Sequence, residues 1–160
     1  MQIGRRRFSK ILAKSLAGAW VLPAAWAQAK ETGLPVPTSL AEVARRAQAQ
    51  GQPLVLLISL PGCVYCELVR RNYLMPLLPE ANLQAWQLDI TNRRAPLLGF
   101  DGQPSTAEHQ AKALKASFTP TVLFLGSQGQ ELAERLVGIA VPDFYGAYLE
   151  QRLTTARKAL

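Results

Sequence analysis

The 160-residue chain holds 18 Lys and Arg against 11 Asp and Glu, with two cysteines and one histidine. That length accommodates one domain with its own core and leaves no room for a second, while so few cysteines and histidines exclude a disulfide-stapled scaffold and a zinc ribbon. Five of the basic residues and none of the acids lie in the first 27 positions, so residues 28–160 carry 13 basic against 11 acidic side chains, and composition gives no case for nucleic-acid binding.

The N-terminus reads as an export signal over 1–27. Arg5, Arg6, Arg7 and Lys10 precede an apolar, Ala-rich stretch from Ser15 to Trp26, which ends in the small-residue cleavage site Ala25-Trp26-Ala27. Arg5, Arg6, Phe8 and Lys10 match the twin-arginine pattern, with Gly4 and Ser9 departing from it; Sec export stays open. Lys14 leaves an apolar run well short of the roughly 20 residues that a membrane span needs. The expected location is the bacterial periplasm.

Residues 28–39 form a polar, proline-containing lead-in expected to be flexible, and the folded domain is expected over 40–160. Leu40, Val43, Ala44 and Ala47 recur at helical spacing, with Thr38 or Ser39 as cap and Gly51 as stop. The run from Pro53 to Ser59 lacks polar alternation and predicts a strand buried on both faces, followed by the turn Leu60-Pro61-Gly62. A helix opens at Cys63 and continues through Leu68, Val69 and Tyr73 until Pro76 and Pro79 break or kink it. A strand follows over Ala85–Ile90, with Trp86 as core packing, then a long loop over 91–105 and a helix from Thr106 to Phe118. Thr121–Leu125, the turn 126–129 and Glu131–Val137 predict an antiparallel hairpin. The closing helix starts at Asp143, with Phe144, Tyr148, Leu149 and Leu153 on its apolar side. The paired basics Arg45-Arg46, Arg70-Arg71 and Arg93-Arg94 read as solvated faces. This order gives a parallel βαβ unit extended by an antiparallel hairpin: an α/β fold with a mixed four-stranded sheet and helices on both faces.

The chemistry concentrates in Cys63 and Cys66, which hold all of the chain's cysteine. About one per cent of random placements of two cysteines would set them three apart. A helix N-terminus favours a thiolate, which makes Cys63 the nucleophile; Cys66, one turn on, points back toward the same end and serves to resolve a mixed disulfide. Haem attachment requires histidine where Glu67 stands. A structural disulfide and a thiol carrier for Cu(I) or a sulfur species are the alternatives, the latter without nearby Met or His ligands.

Cys63-Val64-Tyr65-Cys66 after a buried strand, Thr119-Pro120-Thr121 before the hairpin and Gly138 after it together resemble the thioredoxin superfamily, from about Leu40 to Leu160. The resemblance implies a thioredoxin-like fold, a thiol–disulfide oxidoreductase without cofactor or metal, and a cis Thr119–Pro120 bond facing the cysteines. Tyr65, Thr119 and Pro120 become the substrate-binding residues. Gly62, Val64-Tyr65, Leu57 and Gln87 depart from cytosolic thioredoxins, which carry a tryptophan, Gly-Pro, a buried carboxylate and often a lysine there. Glu67 and Asp89 are left as weak candidates to help move the Cys66 proton. Tyr65, Tyr73-Leu74-Met75-Pro76 and Phe100-Asp101-Gly102 are similar to periplasmic thioredoxins associated with sulfur oxidation. Neither Val64 nor Tyr65 is ionised at neutral pH, which points to a moderate potential and to a reductant of protein disulfides, with a disulfide-donating oxidant as the alternative. The expected partners are protein disulfide or thiol clients and a membrane redox donor or acceptor, with the protein acting as a monomer.

Overall fold

The computed structural model describes residues 33–160. The expected export signal over 1–27, with its twin arginines and cleavage site, and the first residues of the lead-in lie outside the described residues. In chain order the elements are α1 (Leu40–Ala49), β1 (Leu54–Ser59), α2 (Val64–Leu68), a π-helical turn (Val69–Leu74), α3 (Met75–Glu80), β2 (Gln84–Asp89), β3 (Leu97–Leu98), β4 (Pro104–Ser105), α4 (Ala107–Ala113), β5 (Thr121–Leu125), β6 (Glu131–Val137) and α5 (Pro142–Lys158). No helix among the described residues is long and apolar enough to cross a membrane.

The four-stranded sheet has the order β2-β1-β5-β6. β1 pairs parallel with β2, Leu54 opposite Gln84, and antiparallel with β5, Ile58 opposite Thr121; β5 and β6 are antiparallel. β1 is central and fully buried, which is why its sequence shows no polar alternation. Alternate residues feed two cores. Val55, Leu57, Val122 and Phe124 pack with Val69, Leu74, Tyr145, Leu149 and Leu153 from the α2–α3 stretch and α5. Leu54, Leu56, Ile58, Leu123 and Leu125 pack with Leu40, Val43, Ala44 and Ala47 of α1 and with Ala107 and Ala111 of α4. Helices therefore cover both faces, and Trp86 packs partly buried against the second core.

Five expectations change. The described part of the lead-in is packed: Leu34 is 3% exposed in the core, the Pro35 carbonyl accepts from the Gln87 amide, and the Thr38 carbonyl accepts from the Leu98 amide. Pro37 is buried as well, so two apolar side chains anchor it. The loop 91–105 contains the short hairpin β3–β4, closed by a tight turn in which Asp101 Oδ1 accepts from the Gln103 amide at 3.0 Å. The helix does not stop at Pro76, because that proline falls in the first turn of α3, where a missing N–H leaves little unpaired, and the chain passes through the π-helical turn instead. α4 ends at Ala113, and Lys115 takes a left-handed φ of 53°, so Phe118 lies outside any helix. On α5 the buried face is Tyr145, Leu149, Leu153 and Ala156; Phe144 and Tyr148 point to solvent. Leu149 and Leu153 are buried as expected, whereas Phe144 and Tyr148 lie one position before Tyr145 and Leu149, about 100° round the helix.

Candidate active site

The site sits where β1 ends. Leu60-Pro61-Gly62 turns the chain, with Gly62 at a φ of 74° that side-chain-bearing residues rarely adopt, and delivers Cys63 to the cap of α2. Cys63 Sγ accepts a hydrogen bond from the Cys66 amide at 3.1 Å. The two sulfurs are joined as a disulfide, Cα to Cα 5.2 Å. Cys63 is half-buried and Cys66 fully buried, so an incoming thiol or disulfide reaches Cys63 first. Unpaired amides at the start of a helical stretch that runs on to Glu80 favour negative charge on that sulfur.

Because β1 and β5 are antiparallel, the start of β5 lies beside the end of β1, which brings the Thr119–Pro120 segment to the same sheet end as Cys63. The Thr119–Pro120 bond is cis. Thr121 Oγ1 donates to the Phe118 carbonyl at 2.8 Å, and the Gly138 amide donates to the Pro120 carbonyl at 2.8 Å, fixing both sides of the loop. Tyr65 is 62% exposed and Val64 still more so. Phe118, 72% exposed and next to Thr119, belongs with this surface although the sequence reading placed it at a helix end. An aromatic directly before Thr-Pro, where a helix must already have stopped, was the signal that could have found it.

On the other side of the turn a cleft of about 510 Å³ opens beside Leu60, Pro61 and Gly62. Its lining includes Ser59, Glu67, Arg70, Gln87 and Asp89 among mostly apolar neighbours. Arg70, read from sequence as solvated, is buried. Its Nε donates to Gln87 Oε1 at 2.7 Å, Nη1 donates to Glu67 Oε1, and Nη2 reaches Ser59 Oγ at 3.5 Å. The hydrogen bond from Arg70 holds the Glu67 carboxyl below its ordinary range, aided by the charges of Arg70 and Arg71 and opposed by partial desolvation. Asp89 Oδ1 is occupied by the Thr91 amide and hydroxyl. The position six before Cys63 is Leu57, fully buried and without a proton to exchange. Among the described residues no group of three or more His, Cys, Asp or Glu side chains could hold a metal ion.

Residues 40–153 match the family model of the thioredoxin-like domain. Solved structures similar to this chain include oxidised thioredoxin O2 from Arabidopsis thaliana, 20% identical over 74% of this chain and 93% of that one, with a TM-score of 0.51. Oxidised mitochondrial thioredoxin 3 from Saccharomyces cerevisiae is 18% identical over 76% and 93%, with a TM-score of 0.50. Thioredoxin from Fasciola hepatica is 17% identical over 76% and 97%, also at 0.50. No curated protein matches the sequence significantly. With the paired cysteines at a helix start, opposite a cis-proline and on a mixed four-stranded sheet, the chain belongs to the thioredoxin-like domain family and carries that family's thiol–disulfide oxidoreductase centre.

Proposed function

We propose that the protein is an exported reductant of protein disulfides in the periplasm. The observation that carries this reading is the asymmetry of the pair: a half-buried Cys63 at the helix start, a fully buried Cys66 one turn on, and no ionised side chain between them. Cys63 thiolate attacks a client disulfide, one client sulfur leaves and takes up a proton, and Cys66 then displaces the second, leaving the client reduced and the Cys63–Cys66 pair oxidised. Tyr65, Thr119, Pro120 and Phe118 form the surface against which the client chain lies. The basic and apolar pattern of residues 1–27 supports export, and a membrane donor would then restore the dithiol.

Two measurements test the proposal. The reduction potential of residues 28–160, titrated against dithiothreitol or glutathione, is expected near about −270 mV; a value near about −120 mV would make the protein a disulfide donor instead. In a periplasmic extract, Cys66→Ser is expected to accumulate disulfide-linked complexes through Cys63. A variant that traps nothing where a thioredoxin control does would sink the client-reducing role.

A further inference from the structure

Among the described residues Arg70 is the one charged side chain that is buried. Burying a guanidinium costs desolvation that an apolar side chain of the same length avoids, so stability alone gives no reason for it. Its partners Gln87, Ser59 and Glu67 engage three of its five N–H donors. It lies four residues after Cys66 on one helical stretch. The two side chains are thus about one turn apart, Cys66 in α2 and Arg70 in the π-helical turn that continues it, and both are buried. The cleft that Arg70 lines reaches Gly62, the residue before Cys63, and Glu67, the residue after Cys66, so it brings solvent up to the chain on either side of the pair.

We infer that Arg70 is a positioning residue for the resolving half-reaction, a fixed cation that favours the Cys66 thiolate when a client is bound to Cys63. In that step the Cys66 thiol gives its proton to water and its sulfur attacks Cys63 Sγ. The Cys63–Cys66 bond forms as the bond from Cys63 to the client sulfur breaks; the client sulfur leaves with the electron pair and is protonated by solvent. Arg70 keeps its own protons throughout. The charged groups around it are Glu67 and Arg71 on the same helical stretch and Asp89 at the end of β2; β1 brings no ionisable side chain, and α5, packed in the same core as the helical stretch, brings Tyr145. Glu67 is the counterweight, offsetting part of the field of Arg70.

The inference rests on dithiol exchange at Cys63–Cys66 and is independent of the direction of electron flow. The test is a single-turnover reaction of the reduced protein with the aryl disulfide bis(thionitrobenzoate), in which release of the second thionitrobenzoate reports the attack of Cys66 on Cys63, followed from pH 5 to 10. Arg70→Met is expected to slow that release about tenfold at pH 6, the change that one pK unit brings, with the gap closing toward pH 10. Arg70→Lys should recover much of the loss, and Glu67→Gln should shift the profile the other way and speed release at pH 6. An Arg70→Met profile that overlays the parent, or a loss equal at every pH that lysine does not rescue, would overturn the inference. Should the methionine variant not fold, an unmoved profile in Glu67→Gln would overturn it equally. A parent that never releases the second thionitrobenzoate would instead refute the dithiol chemistry itself.

Discussion

Tyr145 offers a sharp test of how the helical layer over the sheet is stabilised. Its ring is buried against Tyr73, centroids 4.8 Å apart, and its hydroxyl has no hydrogen-bond partner. Tyr73 is satisfied, its hydroxyl donating to the Pro142 carbonyl at 2.9 Å. A buried hydroxyl without a partner costs about 1–3 kcal/mol, so Tyr145→Phe, which keeps the ring and removes the penalty, is expected to stabilise the oxidised domain by about 1 kcal/mol. For a domain of this size that raises Tm by about 3–4 °C. Burial first, and the neighbouring Tyr73 second, push the Tyr145 phenol well above the ordinary tyrosine range. The unfolded chain thus gives up this proton near pH 10 while the folded chain holds it. Stability of the parent is therefore untouched by this group below that pH and falls above it, by up to about 1 kcal/mol per pH unit. Urea unfolding from pH 7 to 11 reads both effects: the phenylalanine variant should have a higher midpoint, an unchanged m-value and a shallower alkaline decline. A variant less stable than the parent by more than about 0.5 kcal/mol would show that the hydroxyl is satisfied after all. An unchanged alkaline slope would refute the titration argument.

Other perturbations probe separate parts. Gly129 has a φ of 81°, and a Cβ there would come within 2.8 Å of the Phe100 ring, so Gly129→Ala should cost about 1–3 kcal/mol in urea unfolding. Leu57→Asp places an unpaired carboxylate inside the sheet and is expected to lose about 3–5 kcal/mol, read as a collapse of Tm, despite putting an acid where cytosolic thioredoxins carry one. Glu67, held below the ordinary range by Arg70, adds stability above about pH 4.3 that fades as pH falls through its lowered folded value; because the Glu67 carboxylate is half-exposed the effect stays under about 0.5 kcal/mol, and Glu67→Gln should flatten that part of an acid titration. Phe118→Ser should leave Tm within about 1 °C and slow client disulfide reduction several-fold, since the ring touches solvent and not core.

The parts of the fold that read correctly from sequence were those where one physical signal acted alone. β1 announced itself by unbroken apolarity, α1 by its period and its cap, for which Ser39 accepts from the Glu42 amide, and the reactive pair by its spacing. The misreadings came where tertiary contacts chose between local options. Tyr145 and Phe144 differ little as helix residues; what buried the first was the Tyr73 ring on a neighbouring helical turn. Arg70 looked like one of several basic doublets, and nothing local distinguishes it from Arg71 until Gln87 and Ser59, 17 and 11 residues away, close around it. Phe118 follows the opposite logic: a large apolar side chain left outside, which periodicity arguments fold into a helix by default, whereas Tyr65, exposed as well, was singled out by its place between the cysteines.

The packed segment before α1 has a consequence for how the protein keeps to itself. β2 ends the sheet, and an uncovered strand there would invite another chain to extend it. The Pro35 carbonyl takes the Gln87 amide, and Pro37 has no N–H of its own to offer a stranger. At the far side β6 is irregular in register against β5 and carries Glu131, Glu134 and Arg135. With one border sealed by its own leading residues and the other bent and charged, the sheet resists growth by strand addition. Such borders would shield the protein from co-aggregating with the partly unfolded chains that the proposed function has it meet.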